Sequence, residues 1–152
     1  MKSLALDVGE RRIGVAVSDS LGLIATPLTV IARSSKVADF QRIGDLVRQH
    51  GAEALVVGHP LNADGSAGPQ AQRVERYATA LEQILRNEGL PVPLFLWDEY
   101  GSTQRAQEAM IASGRGARHR RECIDAVAAA IILQDYLDVQ RPPVAPSVPA
   151  NE

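Results

Sequence analysis

The chain is poor in cysteine and in aromatic residues. Its 152 residues include one cysteine, Cys123, which excludes an internal disulfide and a zinc site built on cysteines. Aromatic side chains are 4% of the sequence, so a core has to be assembled from Val, Leu, Ile and Ala. No apolar run approaches the roughly 18–20 residues of a membrane-spanning helix. Asp7 interrupts the first apolar run, so no signal peptide is expected. A strong net charge is absent as well: the formal value of −2 argues against a protein coated in positive charge for indiscriminate nucleic-acid binding. These absences predict a soluble cytoplasmic protein with no membrane partner. A hydrophobic fraction of 45% can fill the core of one domain.

Residues 3–9, 12–18 and about 22–32 read as three strands joined by tight turns, rich in Val, Ile, Leu and Thr. Pro27 in the third run predicts an edge position or a bulge. Ser34-Ser35 then caps a helix in which Val37, Phe40, Ile43, Leu46 and Val47 recur at helical spacing, and Gly51 stops it. The apolar run 53–58 is a strand, 59–69 a loop of turn formers, and about 70–88 a helix with Val74, Tyr77, Leu81, Ile84 and Leu85 on one face. Pro91 and Pro93 lead into a fifth strand, VPLFLWDE. Ser102 or Thr103 caps another helix to about 112, the Arg/Gly segment 114–121 reads as mobile, and a last helix spans about 122–139. Domain organisation is one unit over 1–140 and a Pro-rich disordered tail, 141–152. The order β-β-β-α-β-α-β-α-α predicts an α/β fold with a mixed five-stranded sheet flanked by helices. Three antiparallel strands are followed by strands parallel to the first.

Three acidic positions stand out by context. Asp7 ends the first strand and Asp98-Glu99 ends the fifth. With those strands parallel, their C-terminal ends share the sheet edge where ligands bind. Asp125 opens AVAAAIIL, a helical stretch with almost no polar face. A carboxylate there is either a first-turn partner of the helix dipole or an inward-facing charge that needs a cation. The alanines would let this helix approach the sheet closely. Carboxylates gathered at one point repel one another, and Mg2+ or Mn2+ would relieve that. Two such ions about 4 Å apart activate water and stabilise the leaving oxygen in phosphodiester cleavage. Gly9 then reads as the place where substrate backbone comes close. Asp98 and Glu99 are neighbours in an extended segment and face opposite sides, so the sequence does not choose between them as ligand.

Basic residues cluster at Arg11-Arg12 and in GRGARHRR, which holds Arg115, Arg118, Arg120 and Arg121. Each is either a solvated charge run or a phosphate clamp. Asn62 and Ser66, with Asp64 and Gly65, form either a tight turn before a helix or a loop that positions backbone phosphate. Cys123 reads as a packing residue, since no activating pair is visible.

LDVGERRIGVAVSD, VVGHPLNADGS, WDE and ECIDAVAAAIILQDYL together resemble the YqgF family, also called RuvX, across residues 4–138. The resemblance implies a ribonuclease H-like fold. It also implies membership among proteins described as candidate Holliday junction resolvases and candidate nucleases for the 5′ end of 16S rRNA. It assigns catalytic and metal-binding positions to Asp7, to the Asp98-Glu99 pair and to Asp125, with branched DNA or precursor rRNA as partner. A second copy of the chain is a further candidate partner. Two departures stand out. The family's usual Asp-Glu-Arg is Asp98-Glu99-Tyr100 here, and His59 stands where leucine is usual. The leading expectation is a metal-dependent endonuclease. One alternative is a non-catalytic protein that docks on ribosome precursors. Another is a fragment of an actin-like ATPase, whose opening is similar but whose two-domain chains are far longer.

Overall fold

The computed structural model describes residues 1–99 and 117–140, with Arg105, Ala106 and Glu108 between them. Strands β1 (Ser3–Val8), β2 (Arg12–Ser18) and β3 (Ala25–Ala32) precede helix α1 (Lys36–His50). Strand β4 (Ala54–His59), helix α2 (Pro69–Asn87), strand β5 (Leu94–Asp98) and helix α3 (Ala117–Gln140) follow. Local chemistry explains the helix ends. The Ser35 side chain accepts the Ala38 amide at 3.1 Å, and Gly51 closes α1 at φ 62°, a left-handed conformation that only glycine adopts without strain. Pro69 opens α2, where its missing N–H costs nothing.

The sheet order is β3-β2-β1-β4-β5. The first three strands are antiparallel and β4 and β5 run parallel to β1, as expected. β3 lies at the edge, and the β2–β3 register slips between Val15 and Ala16, opposite Pro27. Both meanings of a strand proline therefore hold here.

Alternation along the strands divides the core in two. Leu4, Leu6, Ile13, Val15, Leu55 and Val57 face α1 and α2, packing on Phe40, Ile43, Tyr77, Leu81 and Leu85. Ala5, Ala16 and Val56 face α3, packing on Ala129, Ile132, Leu133 and Tyr136. The second face is lined by small residues, so α3 lies closer to its sheet than a Leu-lined face would allow.

α3 begins at Ala117, about five residues before its expected start, so Arg118, Arg120 and Arg121 belong to its opening turns and not to a loop. Of the expected helix before it, Arg105, Ala106 and Glu108 are described, and all are helical. The Arg105 guanidinium is 2.9 Å from Asp135 on α3. The remainder of that helix, the 114–116 stretch and the 141–152 tail lie outside the described residues.

Candidate active site

Asp7 sits near the C-terminal end of the central strand, on the face that α3 covers. Two glycines flank it. Gly14 on β2 is its direct cross-strand partner. On β4, Gly58 follows Val57, which pairs with the residue before Asp7. A Cβ on Gly14 would overlap the backbone carbonyl of Asp125. A Cβ on Gly58 would overlap the Glu99 carboxylate and stand 2.8 Å from Ile132 Cδ1. Each glycine thus makes room for one further acid beside Asp7: the start of α3's apolar run on one side, the Glu99 side chain on the other.

The Glu99 amide continues the β4–β5 ladder, donating to the His59 carbonyl at 3.2 Å. Its side chain returns over Gly58 and hydrogen-bonds Asp7. Two carboxyl groups can share such a bond only if one of them carries a proton. Burial raises Asp7 to about 6, with the Asp125 charge adding to the rise and the bond from Glu99 opposing it. Burial raises Glu99 to about 8, with the charges of Asp7 and then Asp98 reinforcing it. Asp98 itself pairs with His59 across β4–β5 and falls on the opposite face from Trp97 and Glu99 by strand alternation. Of the two acids the sequence left equal, the structure brings Glu99 to Asp7.

Asp125 comes near enough to raise Asp7, but its carboxylate is engaged. Arg12 Nε donates to Asp125 Oδ2 at 2.8 Å. Accordingly, among the described residues no three of His, Cys, Asp and Glu stand together as a ready cation site. The fit of a metal rests on the Asp7–Glu99 pair. These are two half-buried carboxyls, both raised chiefly by burial, that share one proton, and a hard divalent cation would take the place of that proton.

The other expected site residues divide. Arg12 is at the site, as the partner of Asp125. Arg11, next to it, is exposed. Asn62 and Ser66 are turned on their own loop: Asn62 Nδ2 donates to Ser66 Oγ at 2.9 Å, and the Ser66 amide and hydroxyl both donate to Asp64 Oδ1. His59 ends strand β4 rather than opening the loop expected from 59, and its Nε2 is 3.0 Å from Glu75 Oε1 on α2. Arg118, Arg120 and Arg121 lie on α3, while Arg115 and Tyr100 fall outside the described residues. Gly9 meets its own turn rather than open space: its amide donates to the Arg12 carbonyl at 2.9 Å, and a Cβ would stand 2.8 Å from that oxygen. Its explanation is the tight β1–β2 turn. The residues that sequence reasoning passed over are Gly14 and Gly58. Their signal was visible, since a glycine inside an apolar strand marks a close approach.

Comparison with solved structures places this architecture. RuvC of T. thermophilus in complex with Holliday junction substrate matches with TM-score 0.57 at 17% identity, over 91% of this chain and 94% of that one. The Fowlpox virus resolvase in complex with Holliday junction DNA matches with TM-score 0.56 at 8% identity, over 91% and 98%. The fold is therefore that of the RuvC-like resolvases, within the ribonuclease H-like class. By sequence the chain belongs to the RuvX family, whose model, described as Holliday junction resolvase, matches residues 1–139. A protein of Moorella thermoacetica is 46% identical over 138 residues, 91% of this chain and 95% of its own. One of Syntrophus aciditrophicus is 44% identical over 138 residues, 91% and 89%. Both carry the name "Putative pre-16S rRNA nuclease".

Proposed function

We propose that this chain is a divalent-metal-dependent endonuclease that cuts phosphodiester bonds in structured nucleic acid in the cytoplasm. The observation that carries the reading is the Asp7–Glu99 carboxyl pair, half-buried at the ligand-binding end of two parallel strands, with Asp125 beside it. Asp7 and Glu99 would hold Mg2+ or Mn2+, and Asp125 would join them on leaving Arg12. When bound, the metal supplies a Lewis acid for the phosphate and lowers the pKa of water. The protein fixes Asp7 on β1, Glu99 directly after β5 and Asp125 on α3, with Gly58 and Gly14 leaving room for the latter two. Asp98, on the far face, acts on the site through its charge.

The names of the curated relatives favour the precursor of 16S rRNA as substrate. The family description supports a four-way DNA junction as the second reading. Purified protein should be offered a precursor-rRNA leader, a four-way junction and a plain duplex, with Mn2+, with Mg2+ and with EDTA. Metal-dependent cleavage of the leader in preference to the others is the expected result. Tight binding of the leader with no cleavage under any metal would replace the enzyme by a docking protein.

A further inference from the structure

On the other face of the sheet, directly after Asp7, lies a cavity of about 280 Å³. Its rim includes Gly9 and Glu10 of the β1–β2 turn, Lys36 at the start of α1, and Arg73 and Arg76 of α2. Arg33 and Tyr77 also line it. Arg33 is already committed: Nη1 donates to the Gly9 carbonyl at 2.8 Å, Nε is 3.9 Å from buried Asp39, and the guanidinium lies 5.1 Å from the centre of the Tyr77 ring. Lys36, Arg73 and Arg76 have no ion-pair partner among the described residues, and Glu10 is the one acid in the lining. The spacing is helical: Gln70, Arg73 and Tyr77 fall on one face of α2, the face turned to the start of α1.

A second feature is independent of this charge. Tyr77 is 4% exposed, and its hydroxyl is buried with no hydrogen-bond partner among the described residues. Burial raises it to about 12, so it remains an O–H donor at any working pH. A buried donor lacking an acceptor is uncommon and wants an explanation. Three uncommitted cations line a small cavity whose wall holds one buried, uncommitted donor, and together they fit an oxyanion.

We propose that this cavity is a phosphate-binding subsite. Lys36, Arg73 and Arg76 supply charge, and the Tyr77 hydroxyl supplies a directed donor. Because the cavity opens at the residues that follow Asp7, the phosphate is assigned to the substrate strand, one or more nucleotides from the bond cut at Asp7 and Glu99. That assignment of its owner rests on the nuclease reading. The alternative source of the same chemistry is a free mononucleotide. The subsite adds grip on the strand outside the carboxyl site, and it ties that grip to the turn that follows the Asp7 strand.

The test is of binding in EDTA, so it stands apart from cleavage. Wild type, Arg73→Ala/Arg76→Ala and Tyr77→Phe are titrated with inorganic phosphate, with a 5′-mononucleotide and with labelled precursor-rRNA leader at several salt concentrations. In wild type, phosphate should shift the amide signals of Gly9, Lys36 and Tyr77. The double variant should lose that response, bind the leader more weakly, and show a shallower salt dependence, by about 0.7–0.9 in slope per lost contact. Tyr77→Phe keeps the packing and should lower phosphate affinity about tenfold, the value of a hydrogen bond to a charged group. Loss of mononucleotide binding with unchanged leader binding would overturn the strand assignment in favour of a free nucleotide. An unchanged response to phosphate in the double variant, or in Tyr77→Phe, would overturn the subsite as drawn. A protein that cuts no nucleic acid yet passes these tests would refute the nuclease reading and leave the subsite standing.

Discussion

The Asp125 backbone carbonyl rests on the Cα of Gly14, and Gly14 is the cross-strand partner of Asp7. One glycine thus sets how close the start of α3's apolar run comes to the first acidic residue of the site. Gly14→Ala should push α3 outward. Overpacking of this kind costs about 1–3 kcal/mol. Thermal unfolding should show that loss. Cleavage should fall further than the stability change explains, because Asp125 moves away from Asp7. A Gly14→Ala protein with wild-type melting and wild-type activity would mean that the contact is easily relaxed.

Asp7→Asn should abolish cleavage and leave the fold intact. Without metal it should also melt higher than wild type, since the variant removes a half-buried charge that raises Glu99. In the variant, Glu99 should titrate lower than in wild type. Side-chain carboxyl NMR and a calorimetric scan in EDTA check both statements. Retained metal-dependent activity would remove Asp7 from the catalytic set.

The same pair makes stability depend on pH. Asp7 is raised to about 6 and Glu99 to about 8. Ordinary carboxylates titrate at about 4. Between those values the folded chain holds more protons than the unfolded one, so ν_U − ν_N is negative and stability falls as pH rises. The contribution is fully present below about pH 4 and is lost by about pH 8. Melting of the EDTA-treated protein should decline across that window. Saturating Mn2+ should flatten the decline or reverse it, because metal binding favours the deprotonated forms. Asp7→Asn should also flatten it, without metal.

Much of this was legible in the sequence. The strands and first two helices follow from periodicity and from Gly, Pro and Ser punctuation, and Pro27 named its own edge strand. Asp7, Glu99 and Asp125 were visible as acids at the ends of apolar runs. The choice between Asp98 and Glu99 was not, because it depends on where β5 stops and on the space over Gly58. The start of α3 was misplaced because Gly114, Gly116 and the arginines read as a solvated loop, although Ala117 to Arg121 contains no helix breaker and arginine is a good helix former. The Arg12–Asp125 pair joins residues 113 positions apart, and no local pattern announces it.

That pair engages the Asp125 carboxylate, and it is partly solvated, with the two side chains 53% and 21% exposed. An ion pair of this exposure adds little to stability, at most about 1 kcal/mol. Arg12→Ala should therefore melt close to wild type. It should bind Mn2+ more tightly, because Asp125 no longer has to leave a partner. Mn2+ titration followed by electron paramagnetic resonance reads the affinity directly. Weaker Mn2+ binding in Arg12→Ala would show that Arg12 instead positions Asp125 for the metal.

The last expectation concerns the opening of α3. Arg118, Arg120 and Arg121 follow its first residue, Ala117, and the first turn carries no acid. Cations at a helix N-terminus oppose the macrodipole, by about 0.3–1 kcal/mol each. A bound phosphate would offset that cost. Replacing Arg115, Arg118, Arg120 and Arg121 by Ala should weaken binding of the precursor-rRNA leader or of a junction. The slope of log affinity against log salt should flatten by about 0.7–0.9 per lost contact. Without nucleic acid the same variant should melt higher than wild type, because the dipole is relieved and alanine is the better helix former. Mn2+ affinity should not change, since no arginine is a ligand. A quadruple variant with an unchanged salt slope would show that the arginines are only solvated charge. The strand would then be held chiefly by Lys36, Arg73 and Arg76 on the other face of the sheet.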